Sequence, residues 1–336
     1  MSRVPPTRTV RPVRSLLFCP GDRPDALRDG YASGADAIVI DLEEPRTPFP
    51  ERERERARAV AADFVASVRA TGTTGTIGTT GADGPAAVTG AGGPLVFARV
   101  QSPSTGQTLK DLRAVMGVDG ILVPKVEGPP DIHAADALLA GMEVEAGMTM
   151  GTTWIYPILE TAQALRLAYE IATASPRVAY LGGAVSRFGD IHQALGYRWT
   201  AEGRETLFLR SKVLIDARAA GIRYPISGMW GGARDDEAGL RAWCTELRDL
   251  GYYGMMLGDA THIPVVHEHF TPSAGELAYW RDLDRLAAAA EASGEGPIIY
   301  GDANQGEGHV VHLAHVGSAR QNLEWAAGLG LGPPPG

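Results

Sequence analysis

Two carboxylates in this 336-residue chain are spaced to do chemistry together. Glu160 closes the apolar run Thr153-Trp154-Ile155-Tyr156-Pro157-Ile158-Leu159, and a helical pattern from Ala162 to Ala174 follows at once. Asp190 lies just beyond the next apolar run, Val178-Ala179-Tyr180-Leu181-Gly182-Gly183. An acid between a buried strand and a helix is how a β/α barrel presents reactive groups at its C-terminal rim. Two such acids from neighbouring strands suit a hard divalent cation, which takes oxygen ligands and keeps positions open for water and substrate. Acids also cap helices, but placement at consecutive strand ends favours a metal.

Further charged groups follow other apolar runs. Arg99 ends Pro94-Leu95-Val96-Phe97-Ala98, which aims its planar fork into a barrel mouth, where it suits a bidentate carboxylate. Asp41, Glu43 and Glu44 follow Asp36-Ala37-Ile38-Val39-Ile40. One of the three is expected to pair with Arg99 or hold a water, the others to cap the next helix. Lys125 and Glu127 follow Asp119-Gly120-Ile121-Leu122-Val123. A lysine nucleophile needs a buried, desolvated amine, and with Glu127 two residues on, an ion pair is the expected role. Arg23, in the turn after the first strand, is placed to meet a phosphate or carboxylate at a helix N-terminus. Asp259, after the last strand, is an acid–base candidate or a partner of Arg187 or His262. His262, His267 and His269 have metal-like spacing but no acid or cysteine partner at ligand spacing, so surface histidines are expected. His309, His312 and His315 recur at three-residue intervals near the C-terminal end, where an ordinary interface is expected.

The elements that must position these groups alternate. Strands are expected at 13–19, 36–42, 94–100, 119–127, 153–161, 178–183, 222–227 and 254–258. Helices are expected at 51–69, 203–220 and 236–250, the first opened by the Glu/Arg-alternating stretch from Glu51 to Arg58. Eight strand signals alternating with helices predict a (β/α)8 TIM barrel over residues 13–272. Residues 1–12 read as a loose Pro- and Arg-rich arm. The Thr/Gly/Ala tract at 71–93 has almost no large apolar side chain and reads as a flexible insertion away from the chemistry. Residues 273–336 read as a C-terminal helical extension, too small for a core of its own and expected to pack on the barrel or a neighbouring subunit.

Bulk properties exclude other classes. A net charge of -9 argues against nucleic acid or an anionic membrane as partner, while leaving room for a small anion met by a local arginine. No apolar run is long enough to span a membrane, and the N-terminus lacks an apolar signal core, so a cytoplasmic location is expected. Cys19 and Cys244 form no CxxC unit. Neither a Walker nor a GxGxxG fingerprint is present.

The strand ends, taken together, resemble the HpcH/HpaI aldolase and citrate lyase beta-subunit superfamily over nearly the whole chain apart from 71–93. The matching pieces are Arg14-Ser15-Leu16-Leu17-Phe18-Cys19-Pro20-Gly21-Asp22-Arg23, Gly34 to Glu44, Ala98-Arg99-Val100, Val123-Pro124-Lys125-Val126-Glu127, Pro157-Ile158-Leu159-Glu160-Thr161, Gly189-Asp190 with Gly196, Arg210-Ser211-Lys212 leading to Gly221, and Phe270-Thr271-Pro272-Ser273. The resemblance implies a barrel, commonly trimeric or hexameric, with Mg2+ or Mn2+ held by Glu160 and Asp190. It implies cleavage or formation of a carbon–carbon bond beside a carbonyl through a metal-stabilised enolate, on a small oxo acid or a thioester of CoA or an acyl carrier protein. Arg99, Glu44, Asp41 and Asp259 are then the candidates for catalytic work, and Arg23, Arg99, Lys125 and Gly189 for substrate contact. The chain departs from the family pattern in three places. Gly258-Asp259-Ala260 stands where Ile-His-Pro is usual, Gln101 where asparagine is usual, and the segment carrying Gly182 to Arg187 is a few residues longer. The expected activity is a divalent-metal-dependent carbon–carbon lyase acting on an oxo acid. The alternatives are an acyl-CoA lyase or thioesterase of malyl or citramalyl type, with CoA phosphates met by Arg14, Arg23 or Arg46, and a binding barrel without catalysis.

Overall fold

A computed structural model describes residues 9–46, 49–70, 93–183, 185–294, 297–301 and 308–335. Most of the expected N-terminal arm and of the 71–93 insertion lies outside the described residues. Eight parallel strands close into a barrel in sequence order: β1 (Ser15–Pro20), β2 (Ala37–Asp41), β3 (Leu95–Arg99), β4 (Gly120–Val123), β5 (Trp154–Leu159), β6 (Gly182–Gly183), β7 (Ile226–Ser227) and β8 (Gly254–Leu257). Closure is through β8 and β1, with Ser15 opposite Met255. The expected (β/α)8 barrel is therefore the fold. Through Phe270 the described residues form one compact unit, and from Thr271 a second begins.

Alternation along the strands separates two cores. Leu16, Ala37, Val39, Leu95, Phe97, Leu122, Trp154, Tyr156 and Ile158 fill the barrel interior. Their neighbours Leu17, Ile38, Ile40, Val96, Ala98, Ile121, Val123, Ile155 and Leu159 face the surrounding helices. Successive side chains on a strand point to opposite faces, so each inward series extends two residues at a time towards the C-terminal end. The series 37, 39 reaches Asp41; 95, 97 reaches Arg99; 154, 156, 158 reaches Glu160. Three charged residues thus cap an apolar interior by parity alone.

Helices run outside: α1 (Pro24–Ala32), α2 (Glu51–Ala70), α3 (Thr108–Val115), α4 (Pro129–Glu145), α5 (Ala162–Arg166), α6 (Ala168–Thr173), α7 (Asp190–Leu195), α8 (Leu207–Ala219), α9 (Glu237–Leu250) and α10 (Ile263–His269). The helix expected over 162–174 is two segments, broken where Leu167 leaves helical geometry (φ -104°, ψ 24°). The sixth strand is shorter than the run 178–183 suggests. Tyr180 packs edge-on against Phe97 and Trp154 and donates its hydroxyl to the Arg11 carbonyl at 2.8 Å. Val178 makes an isolated parallel bridge with Ile155, and Gly182 and Gly183 form the strand proper. A Cβ on Gly182 would fall 1.9 Å from the Ile226 carbonyl oxygen and 2.4 Å from the Tyr156 hydroxyl. The β7 backbone and the Tyr156 hydroxyl leave no room for a side chain there.

The second unit contains α11 (Ala274–Ser293), α12 (Leu313–Gly328) and a two-stranded antiparallel ribbon, β9 (Ile299–Tyr300) with β10 (His309–Val310). A reciprocal capping box starts α11: Ser273 Oγ accepts from the Glu276 N–H, and the Ser273 N–H donates to the Glu276 carboxylate at 2.7 Å. Trp280 and Trp325 meet between the two helices. Among the described residues, no helix is long and apolar enough to cross a membrane.

Candidate active site

At the C-terminal ends of β2 to β6 the charged groups meet as one cluster. Asp41 and Arg99 are opposite each other in the β2–β3 register. The guanidinium donates through Nε to Asp41 Oδ1 at 2.9 Å and through Nη2 to Oδ2 at 2.7 Å. Its remaining nitrogen, Nη1, is 2.9 Å from Glu43 Oε2, and its face lies 5.2 Å from the Phe18 ring centroid. Burial opposes the charge on Arg99, but the paired Asp41 and then Glu43 and Glu160 outweigh it, so the guanidinium stays protonated.

Lys125 joins this cluster to the other two acids. Its backbone is left-handed (φ 51°), an uncommon conformation for a non-glycine residue. The turn lets its N–H donate to Glu160 Oε1 at 2.7 Å while its ammonium donates to Glu43 Oε1 at 2.6 Å and approaches Asp190 Oδ2 at 3.7 Å. Burial lowers the affinity of this amine for its proton, but the Glu43 bond and the Glu43, Asp190 and Glu160 charges raise it more. A charged ammonium is a poor nucleophile, which disfavours Schiff-base chemistry. Its ionic partners are Glu43 and Asp190, not the expected Glu127, whose N–H instead donates to Asp131 at 2.7 Å.

Glu160 is pushed up to about 7, first by burial and then by the charge of Glu43; Asp190 adds to the shift, while the Lys125 N–H and Arg99 reduce it. Asp190 opens α7 directly after Gly189. A Cβ on Gly189 would stand 2.3 Å from the Ser186 hydroxyl oxygen, so a side chain there would require Ser186 to turn away. Asp41, Glu43, Glu160 and Asp190 face Arg99 and Lys125, four carboxylates against two cations when all are ionised. Among the described residues, no group of three or more His, Cys, Asp or Glu side chains is arranged to hold a metal ion by itself. Two carboxylates in an anion-rich mouth fit Mg2+, which dehydrates reluctantly and is commonly bound by one or two carboxylates with water and substrate completing the octahedron. Glu160 and Asp190 are the residues that would hold it.

Of the three acids expected to supply one partner for Arg99, two do: Asp41 and Glu43 are both buried against it, and Glu44 is exposed. Glu43 lies two residues past Asp41, where β2 ends and strand alternation alone does not fix a side chain's direction. Gln101 fixes this turn: its side-chain amide donates to the carbonyls of Leu42 at 3.2 Å and Glu43 at 3.0 Å, and its own N–H donates to Asp111 at 2.7 Å. The glutamine in place of the family's asparagine thus holds Glu43 under Lys125 and Arg99. Glu44 donates its N–H to Asp41 Oδ1 at 3.3 Å. Arg23 is exposed at the N-cap position of α1. Asp259 accepts from the Thr261 N–H at 2.9 Å and hydroxyl at 2.7 Å, and pairs with Arg234. Burial raises its affinity for a proton, but the Thr261 bonds and the Arg234 and His262 charges hold the carboxyl below its ordinary value.

The histidines after β8 diverge. His262 meets the Arg234 carbonyl at 3.0 Å, His269 the Val265 carbonyl at 2.8 Å, and His267 the Ser15 hydroxyl at 2.8 Å. Ser15 starts β1, at the end of the barrel away from the acids, and is fully buried; the Ser15–His267–Asp36 group there is structural. Cys19 and Cys244 are buried and unbridged, and burial pushes both thiols up to about 12.

Fold and site together define a β/α barrel with an acid-rich C-terminal mouth. The chain belongs to the HpcH/HpaI aldolase/citrate lyase family, whose sequence model matches residues 14–77 and 84–260. Among its relatives, a (3S)-malyl-CoA thioesterase of Cereibacter sphaeroides is 29% identical over 322 residues, spanning 95% of this chain and 96% of the relative. An L-malyl-CoA/beta-methylmalyl-CoA lyase of the same species is 27% identical over 336 residues, spanning 94% and 95%. Among solved structures, the CitE protein of Mycobacterium tuberculosis in complex with magnesium, acetoacetate and coenzyme A aligns at TM-score 0.61 and 22% identity, covering 95% of this chain and 99% of that one. A citrate lyase from Burkholderia xenovorans LB400 aligns at TM-score 0.71 and 16% identity, covering 98% and 97%. Likeness at these identities bears on the fold.

Proposed function

We propose that the protein is a divalent-metal-dependent carbon–carbon lyase acting on a small carboxylate with a carbonyl beside the bond that breaks. The observation that carries this reading is the join between Glu160 and the Arg99 cluster. Two acids able to hold a hard cation share one mouth with a guanidinium and an ammonium that recognise anionic oxygen. A bound divalent ion would supply Lewis-acid polarisation of a carbonyl oxygen and stabilise negative charge arising there. Arg99, locked by Asp41 and Glu43, offers a preoriented positive field to the substrate carboxylate or enolate oxygen. Lys125 adds a second positive charge across from it. The apolar interior below, with Phe97, Tyr156 and Ile158, excludes water from that side and strengthens each of these interactions.

The relatives named as malyl-CoA thioesterase and malyl-CoA lyase favour the second reading, a CoA thioester as substrate. Of the arginines considered for its phosphates, Arg14 is bound through two nitrogens to Asp36, and Arg46 is paired with Asp22 and Glu53. That leaves the exposed Arg23 as the phosphate contact of this reading. Titration with free CoA separates the two: saturable binding weakened by Arg23→Ala supports the thioester, and binding of oxo acid but not CoA supports the free acid. For either substrate, Glu160→Ala is expected to abolish turnover and metal binding in a folded protein. Retained activity in that variant would remove the reading. The cytoplasmic location and the trimeric or hexameric assembly belong to the same proposal and are tested by fractionation and by mass in solution.

A further inference from the structure

Lys125 occupies an unusual place for a surface-reaching lysine. Its side chain is 44% exposed, so solvent is available to the ammonium, yet it is turned back among carboxylates. The backbone accepts a left-handed conformation to bring this about, one that a non-glycine residue adopts only against steric strain. The result is one residue touching three acids: Glu160 through its N–H at 2.7 Å, Glu43 through Nζ at 2.6 Å and Asp190 through Nζ at 3.7 Å. Two of these, Glu160 and Asp190, are the pair that would hold a divalent ion. The third, Glu43, is also bound to Arg99.

We infer that Lys125 is the resident cation of the ligand cluster, and that divalent-ion binding is an exchange in which Asp190 gives up its ammonium neighbour while Glu43 keeps it. This rests on the metal-dependent reading proposed above and adds a role for one residue within it. An ion held by Asp190 would stand within a few ångströms of the ammonium. A divalent ion and an ammonium that close repel each other at the effective dielectric of a protein surface. The 2.6 Å bond to Glu43 gives the ammonium a place to remain, so the exchange needs a side-chain swing and no backbone change. The N–H to Glu160 survives it, because that bond belongs to the backbone. Lys125 is thus a positioning residue with two opposed effects: its backbone orients one metal ligand, and its side chain weakens ion binding at the other.

The opposition makes the sign of one measurement decisive. Lys125→Met and Lys125→Gly are titrated calorimetrically with Mg2+ beside the wild type, all stripped of metal, with circular dichroism to establish folding. Glycine adopts φ 51° without strain and keeps the N–H, so it removes the side chain with its ammonium while preserving the backbone donor to Glu160. Both variants are expected to bind Mg2+ at least about tenfold more tightly, and Lys125→Arg, which keeps the charge, is expected to stay near wild type. Mg2+ should also raise the melting temperature of Lys125→Gly by more than that of wild type. Binding unchanged or weakened in both neutral variants, beside normal binding by wild type, overturns the inference and leaves the metal reading standing. Absence of Mg2+ binding in every protein removes both.

Discussion

Asp41 and Arg99 stand opposite each other on adjacent parallel strands and close a two-pronged ion pair at 2.9 and 2.7 Å on the roof of the barrel interior. Both side chains are largely buried, at 8% and 16% exposure, so the pair holds its geometry without solvent screening. Truncating one member of such a pair leaves an uncompensated charge beside a second acid, Glu43. Arg99→Ala is therefore expected to lower unfolding stability by about 3 kcal/mol or more and to abolish oxo-acid binding. Denaturant unfolding and ligand titration check the two effects separately. Asp41→Asn, which keeps one prong, should cost less stability than Arg99→Ala while still weakening ligand binding.

The upward shift of Glu160 to about 7 makes ion binding pH-dependent. Its proton must leave before the carboxylate can ligate, so Mg2+ affinity should rise as pH increases through about 7 and level off above it. Below that value each binding event should release up to one proton, visible as a dependence of the calorimetric heat on buffer ionisation enthalpy. Stability without metal runs the other way. A carboxyl whose folded value lies above its ordinary 4.5 stabilises the fold fully below 4.5, and that contribution is lost as pH rises through about 7. Metal-free protein should melt earlier at about pH 8 than at about pH 6, with Mg2+ narrowing the gap. A flat affinity profile across that interval would contradict the assignment of Glu160 as ligand.

Much of this was legible in the strand ends. Asp41, Arg99 and Glu160 each close a continuous apolar run, and strand parity sends all three inward once the barrel is closed. Glu43 was harder, because it follows the strand, where the period of two no longer holds by itself. Its inward turn depends on Gln101 clasping the Leu42 and Glu43 carbonyls from the next loop, contacts 59 and 58 residues away in sequence. The partners of Lys125 were hidden for a similar reason: a left-handed backbone at a lysine has no sequence signature. The need for glycine at 182 was hidden too, since it follows from the approach of the Ile226 carbonyl and the Tyr156 hydroxyl rather than from local propensity.

Asp259 is engaged as an N-cap by Thr261 and as an ion pair by Arg234. On this geometry Asp259→Ala should cost about 1 kcal/mol, the usual loss of a cap, and leave kcat within about threefold. A general acid or base in the same position would lose about 100-fold or more on removal. The ratio of kcat values for wild type and variant therefore assigns the residue.

Phe188 and Phe97 provide a contrast in stability. Phe188 is 79% exposed and held at φ 64°, so it contributes little burial and carries backbone strain. Phe188→Gly should leave unfolding stability unchanged or raise it by up to about 1 kcal/mol, relief of strain offsetting the added freedom of the unfolded chain. Phe97 is buried against Tyr180 inside the barrel, and Phe97→Ala should cost about 3–5 kcal/mol. Chemical denaturation of the two variants checks both signs.

The most direct test of the central claim is calorimetric titration of metal-stripped protein with pyruvate or oxaloacetate, with and without Mg2+, in wild type and Asp190→Ala. The account predicts oxo-acid binding that requires Mg2+ in wild type and disappears in the variant. Oxo-acid binding indifferent to Mg2+, or Mg2+ binding undiminished in Asp190→Ala, would contradict it and leave Glu160 and Asp190 as structural acids at a barrel rim.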